Sequence, residues 1–265
     1  MNILICGDIV GRSGREVLES LLPNLISENE IKFVIANGEN SASGFGITKK
    51  ICQQLYKTGV DVITSGNHIW DQKEIVSYIS KDHRLIRPCN YSFQTPGKGF
   101  GVYKLQNGKL VAVINVMCRL FMDAIDDPFT TLVNVIEEIK IKYGEMVIIV
   151  DVHGESTSEK MAIAHFLDGK VSAVLGTHTH VPTADLQILE KGTFYQTDIG
   201  MCGDYNSVIG MNKELCIQRF TKKYFKTKLE PANGEGTLSG TIITLDNDFN
   251  VVNFEQILKG GRLNK

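Results

Sequence analysis

Gly176-Thr177-His178-Thr179-His180 sets two imidazoles two residues apart directly after an apolar run. On a strand-exit loop, that spacing lets both rings meet one cation from the same edge. Four further polar clusters also follow apolar runs: Gly7-Asp8, Gly38-Glu39-Asn40, Gly66-Asn67-His68 and Asp151-Val152-His153-Gly154. Asp8 and Glu39 bring the negative charge a divalent ion needs. Asn67 offers a neutral oxygen that completes a shell without adding charge, and His153 adds a third imidazole. No thiolate joins them. Imidazole, carboxylate and amide oxygen together suit a catalytic site for one or two divalent ions. Asp151, two residues before His153, is expected to orient that ring from behind rather than to bind. His68 stands beside Asn67, near the ions without having to hold one. An imidazole, with its pKa ordinarily about 6.5, can deliver a proton to a leaving alkoxide.

These clusters need a scaffold that brings distant loops to one rim. The runs preceding them are Ile3-Leu4-Ile5-Cys6, Phe33-Val34-Ile35-Ala36, 60–64, 146–150 and 171–175, nearly continuous in apolar and β-branched residues. Such runs read as parallel strands buried on both faces. Open α/β sheets bind ligands beyond the carboxyl ends of their strands, which is where every cluster falls. Helices are expected after Ser13, with Glu16 completing a capping box, and over 48–58, 72–79, 130–142 and 156–167. Gly59 and Gly144 are the expected stops. Residues 110–116 read as a strand without a metal-type loop. After His180 the pattern changes to strands at 185–189, 193–197, 214–220 and 238–245, expected to form a second, mostly antiparallel sheet. The fold class is thus α/β, with layered sheets flanked by helices, in a single domain over 1–265. Pro96 to Gly101 is glycine-rich, but no helix pattern follows it, so a hairpin loop is expected rather than a phosphate cradle.

The 265 residues, 43% hydrophobic and 22% charged, describe an ordinary soluble chain able to bury a large core. A net charge of −2 gives no electrostatic reason for a long nucleic-acid groove or an anionic membrane partner. No apolar stretch approaches the roughly 20 residues a membrane helix needs, and the chain enters a strand with no leader pattern. A cytoplasmic protein is expected. The six cysteines are scattered without a C-x-x-C pair and read as reduced, mostly core thiols. His165 reads as a core side chain, His83 as surface, and Lys222, Lys223, Lys226 and Lys228 as a solvated basic stretch. Arg119 and Phe121, on a loop after a strand, could meet a phosphate and stack on a base. The alternative is a packed loop with Arg119 in a surface pair.

The order Asp, acidic cluster, Gly-Asn-His, lone His, Gly-x-His-x-His resembles the calcineurin-like metallophosphoesterases. Two departures stand out: Val10 occupies the place of the histidine in the usual Asp-x-His, and Asn37-Gly38-Glu39-Asn40 replaces Gly-Asp-x-x-Asp. Both departures are similar to the YmdB-like bacterial phosphodiesterase branch. So are Gly7 to Gly11, Gly66 to Trp70, Asp126-Asp127-Pro128-Phe129, Gly176 to Val181 and Thr197 to Gly203, and the likeness spans essentially the whole chain. The resemblance implies a β-sandwich flanked by helices, with two divalent transition metals, iron or manganese, at its rim. It makes Glu39 the carboxylate bridging both ions. Asp8, His180 and Asn40 would hold the first, Asn40 standing in for the missing histidine; Asn67, His153 and His178 would hold the second. His68 would be the general acid in hydrolysis of a small phosphodiester by a hydroxide bridging the metals. Cyclic nucleotides are the implied substrates: 2′,3′-cyclic nucleoside monophosphates and, more widely, 3′,5′-cAMP. Homo-oligomerisation rests on the same likeness. Two rival readings remain: a metal-dependent hydrolase of another bond type, and a regulatory protein of RNA metabolism using the same metal site.

Overall fold

The computed structural model describes residues 1–222, 224 and 228–263. Lys223 and Lys226 of the basic stretch fall outside the described residues, while Lys222 and Lys228 are exposed. The element order is β1 (Asn2–Ile9), α1 (Gly11–Glu28), β2 (Ile31–Asn37), α2 (Lys49–Thr58), β3 (Val62–Thr64) and α3 (Ile75–Tyr78), which runs into a 3₁₀ turn at Ile79–Lys81. β4 (Phe100–Lys104), β5 (Leu110–Met117), α4 (Pro128–Tyr143), β6 (Val147–His153), α5 (Thr157–Leu167) and β7 (Ala173–Thr177) follow. The chain closes with β8 (Gln187–Ile188), β9 (Phe194–Gln196), β10 (Met201–Cys202), α6 (Lys213–Thr221), β11 (Leu238–Leu245) and β12 (Val251–Lys259).

Two mixed sheets result. One runs β12-β11-β1-β2-β3, with β10 pairing alongside β1; the other runs β4-β5-β6-β7-β9-β8. β1, β2 and β3 are parallel, as are β5, β6, β7 and β9, so the carboxyl ends of both parallel blocks carry the polar clusters. Side chains alternate across each strand, which explains why the runs are apolar at every position. Ile3 and Ile5 of β1 enter the layer between the sheets with Phe33, Val62, Val113, Ile149 and Leu175. Leu4 and Cys6 face outward onto Leu18, Leu22 and Leu25 of α1. On the other sheet, Ile148, Val150 and Val152 meet Leu132 and Ile136 of α4 and Ile163 of α5. Each sheet is therefore covered by its partner on one face and by helices on the other.

Local chemistry sets the helix ends. The Thr48, Asp127 and Ser156 side chains accept from the backbone N–H groups of Ile51, Thr130 and Glu159, and Gly59 takes the left-handed C-cap conformation at φ 116°. The expected capping box at Ser13 does not form. α1 begins at Gly11, the Ser13 hydroxyl donates to the carbonyls of Ala232 and Gly234, and Glu16 pairs with Arg12. Residues 214–220 are helical rather than extended, because Asn212 caps α6 by accepting from Leu215 N at 3.0 Å. His165 is exposed on α5, not in the core. The antiparallel strands after His180 do not build a sheet of their own. β11 and β12 extend the first sheet beside β1, while β8 and β9 extend the second. The segment 96–101 is not the expected hairpin loop: residues 96–99 lead into β4, Phe100 and Gly101 already belong to it, and the β4–β5 hairpin turns at 105–109. All six cysteines are free thiols, and no described helix is long and apolar enough to cross a membrane.

Candidate metal centre

All the polar clusters converge where the two sheets' carboxyl ends meet. Asp8 ends β1, Glu39 and Asn40 follow β2, and Asn67 and His68 follow β3; His153 ends β6, and His178 and His180 follow β7. Asp8, Glu39, Asn40 and His153 are at most 2% exposed and His180 is 5%.

His153 is the hub. Its Nε2 lies 2.9 Å from Glu39 Oε1, 3.1 Å from Asn67 Oδ1 and 3.1 Å from His178 Nδ1. Glu39, His153 and His178 form a cluster whose ligand atoms all lie within 4.8 Å of one another. Asp8 Oδ1 sits 4.0 Å from His153 Nδ1 and 3.9 Å from His180 Nε2. Gly66 allows the close approach: a Cβ there would collide with the His153 ring and with Glu39 Oε2.

The hydrogen bonds behind the rings decide which nitrogen each one presents. The Thr177 hydroxyl donates its proton to Asp151 Oδ1 at 2.7 Å, so its oxygen accepts from His153 Nδ1 at 2.9 Å. His153 Nε2 is thereby left with its lone pair facing inward. His180 Nδ1 donates to the carbonyl of Ile209 at 2.8 Å, leaving Nε2 toward Asp8. His178 Nε2 faces Glu155 Oε2 at 3.4 Å, leaving Nδ1 toward His153. This is how imidazoles are prepared for metals: one nitrogen fixed by the protein, the other free. Asp151 stands behind the His153 ring and reaches it through Thr177.

The carboxylates and amides show the complementary pattern. Asp8 Oδ1, Glu39 Oε1 and Asn40 Oδ1 are buried without a hydrogen-bond partner. Glu39 Oε1 lies 2.9 Å from His153 Nε2 without a hydrogen bond between them. Glu39 Oε2 accepts from His68 N at 3.0 Å, and Asp8 Oδ2 from His178 N at 3.1 Å, so only the inner oxygens are orphaned. The Asn40 amide nitrogen donates to Gly44 O at 3.1 Å, which turns Oδ1 inward. Buried acceptors without donors are costly. Three of them beside inward-facing imidazole lone pairs fit divalent cations well. Asp8, Asn40 and His180 could hold one ion, and Asn67, His153 and His178 another, with Glu39 between.

Electrostatics agree. Burial pushes the Asp8 carboxyl up to about 7 against the pull of His180 and His153. Burial opposes charge on Glu39 and His153 too, yet their mutual contact wins, holding Glu39 down at about 2 and His153 up to about 9. Burial and the neighbouring His153 push His178 down to about 3, so it stays neutral. In the metal-free protein the second proton of His153 sits on Nε2, supplies part of the missing positive charge, and would have to leave before that nitrogen could offer its lone pair to a cation.

His68 lies beside this centre with its ring 29% exposed. Its Nδ1 contacts Asp71 Oδ2 at 2.9 Å, and Phe45 packs edge-on against it at 5.1 Å. Asp71, Thr177 and Phe45 are partners that residue types alone did not single out. Arg119 and Phe121 are not drawn into the centre by any side-chain bond. Arg119 Nη2 meets Asp127 Oδ1 at 3.3 Å, the Arg119 and Leu120 N–H groups donate to Glu159, and Phe121 is 89% exposed at a left-handed φ of 64°.

Known proteins share this chain's sequence and fold along nearly its whole length. The family model for YmdB-like proteins matches residues 4–257. A Bacillus subtilis (strain 168) protein described as a 2′,3′-cyclic-nucleotide 2′-phosphodiesterase is 45% identical over 259 residues, covering 97% of each chain. A crystal structure of a Thermus thermophilus protein superposes with a TM-score of 0.91 at 39% identity, over 99% of this chain and 100% of that one. A Mycoplasma pneumoniae phosphatase structure gives 0.89 at 34% identity, over 98% and 93%.

Proposed function

Since the chain belongs to the YmdB-like family, we propose that it is a metal-dependent phosphodiesterase acting on 2′,3′-cyclic nucleoside monophosphates. The observation that carries this reading is the trio of orphaned buried oxygens on Asp8, Glu39 and Asn40, set against the oriented lone pairs of His153, His178 and His180. Glu39, between the two groups of donors, is assigned to both ions. Iron and manganese both suit this mixture of nitrogen and oxygen donors. Two divalent ions held there would neutralise phosphate oxygens and lower the pKa of water toward neutrality.

The chain's own part in the reaction follows from His68. Opening a 2′,3′-cyclic phosphate at the 2′ position adds water at phosphorus and breaks the bond to O2′, leaving a 3′-phosphate and a ribose hydroxyl. The departing oxygen needs a proton, and His68 stands at the mouth of the centre to give it. Asp71 holds the ring through Nδ1, so the protonated ring carries its second, transferable proton on Nε2. Arg119 and Phe121 are assigned to the phosphate and base of the substrate, with Arg119 exchanging Asp127 for the phosphate. 3′,5′-cAMP belongs to the same substrate class. The whole chain, 1–265, acts as a single catalytic domain in the cytoplasm.

The test is a metal count and an assay on one sample. The purified protein should carry about two transition-metal ions per chain and hydrolyse 2′,3′-cyclic nucleotides, and Glu39→Gln should abolish turnover. A protein without metal, inactive after manganese or iron is added, would sink the reading.

A further inference from the structure

Lys160 is the least expected residue near the centre. It lies on α5, is 1% exposed, and pairs with Asp198, which is fully buried. A buried ion pair is a poor source of stability, because desolvation offsets most of its attraction. Its bonds show what else it does. Lys160 Nζ donates to Thr177 O at 2.6 Å and to Asp198 Oδ2 at 2.9 Å. Asp198 Oδ2 also accepts from Thr179 N at 3.1 Å and from the Thr179 hydroxyl at 2.7 Å. Thr177 and Thr179 flank His178, and Thr179 separates it from His180.

The loop needs such an anchor. His178 and His180 both adopt left-handed backbone angles, φ 96° and 66°, which side chains other than glycine rarely take and which persist only when the surroundings impose them. The same pair reaches the opposite sheet. Asp198 Oδ1 accepts from Gly200 N at 2.8 Å, and Gly200 O accepts from Asp8 N at 3.1 Å. One ion pair thus ties down the backbone beside Asp8, His178 and His180, although neither member is placed among the ligands.

We infer that Lys160 and Asp198 are positioning residues that preorganise ligands of both ions, given the reading above that Asp8, His178 and His180 bind divalent metal. Their contribution is metal affinity, exerted through the backbone of residues 177–180 and 200. Partners of this kind behind a ligand typically carry roughly 10–100-fold in affinity.

Single substitutions would strand a buried charge and could unfold the protein, so the informative variant is the charge-free double Lys160→Met/Asp198→Asn. A second variant, Thr179→Val, removes only one hydroxyl. Metal-stripped wild type and variants are titrated with Mn²⁺ by calorimetry, with circular dichroism to establish folding, and the Mn²⁺ dependence of turnover is recorded. The double variant should bind Mn²⁺ roughly 10–100-fold more weakly. Its activation curve should move by the same factor, and the plateau reached at saturating Mn²⁺ should stay near wild type. Thr179→Val should shift in the same direction by less, and it decides the matter if the double variant does not fold. A role in stability alone would lower the melting temperature and leave Mn²⁺ affinity at the wild-type value, and that result overturns the inference. Wild type that binds no Mn²⁺ would overturn the metal reading itself, and this inference with it.

Discussion

The two sheets furnish opposite halves of the centre. The first contributes Asp8, Glu39, Asn40, Asn67 and His68; the second contributes His153, His178 and His180. The imidazoles are held from behind by Thr177, Glu155 and the Ile209 carbonyl, so their orientation is set before any ion arrives. The inner oxygens of Asp8, Glu39 and Asn40 have no hydrogen-bond partner. Nitrogen ligands need a tautomer fixed, which costs the protein a hydrogen bond on the far side. Oxygen ligands need only to be buried and pointed, and burial makes them eager for a cation. When metal-free, Asp8 should therefore oppose folding, whereas the contact between Glu39 and His153 should not.

Asp8→Asn gives the largest contrast. Turnover should fall at least about 10³-fold, the upper range for removing one electrostatic contact from a site, and metal content should drop. The metal-free variant should nevertheless be more stable than metal-free wild type. Burial raises the Asp8 carboxyl from 3.8 to about 7, so the unfolded chain releases its proton more readily than the folded one. Wild type thus loses stability as pH rises from about 4 to about 7 and levels off above that. The variant's advantage should be absent below pH 4 and complete above pH 7, as thermal melts of the two metal-free proteins across pH would reveal. An advantage that does not depend on pH would break the contrast.

His68 tests whether the oxygen half also supplies the chemistry. His68→Ala should retain both metals but lose about 10²- to 10⁴-fold on 2′,3′-cyclic nucleotides. An activated aryl phosphodiester, whose leaving group needs no proton, should lose much less. Equal losses on both substrates, or loss of metal, would remove His68 from the role of acid.

On the imidazole side the effect should be smaller and should appear in binding. Thr177→Val preserves shape but removes the hydroxyl bridge between Asp151 and His153. Mn²⁺ affinity should fall roughly 10–100-fold, with turnover recovering at saturating metal. Unchanged affinity would mean that packing alone orients His153.

Much of this was legible in the chain because period and placement carry it. Apolar runs ending in Asp, Glu, Asn or His marked five strands and the rim they share, and every proposed ligand lies there. The less legible parts depend on what a side chain meets in three dimensions. Ser13 had the right spacing for a cap, but residues 232 and 234, more than two hundred positions away, take its hydroxyl. Residues 214–220 look strand-like until Asn212 is recognised as a cap. β11 lies beside β1 rather than with β8 and β9, a choice of partner that local pattern does not encode. Lys160 did leave a trace: it occupies the apolar stripe of α5 with Ile163, Ala164 and Leu167, a charge where period 3.6 demands an apolar residue.

The smallest effect should come from Asp71, which orients His68 as Thr177 orients His153 but from a more open position. Thr177 and Asp151 are buried, whereas the Asp71 side chain is 44% exposed. Solvent screens that contact, and exposed pairs contribute about 1 kcal/mol or less. Asp71→Asn keeps an oxygen able to accept from His68 Nδ1 while removing the charge. It should therefore cost about fivefold or less in kcat on cyclic nucleotides, with KM and metal content unchanged. The difference between wild type and variant should shrink further at high ionic strength, because salt screens the charged pair that only the wild type has. A loss of several hundredfold would show that Asp71 becomes enclosed once substrate binds, and that the oxygen half carries an orienting device as strong as the one behind His153.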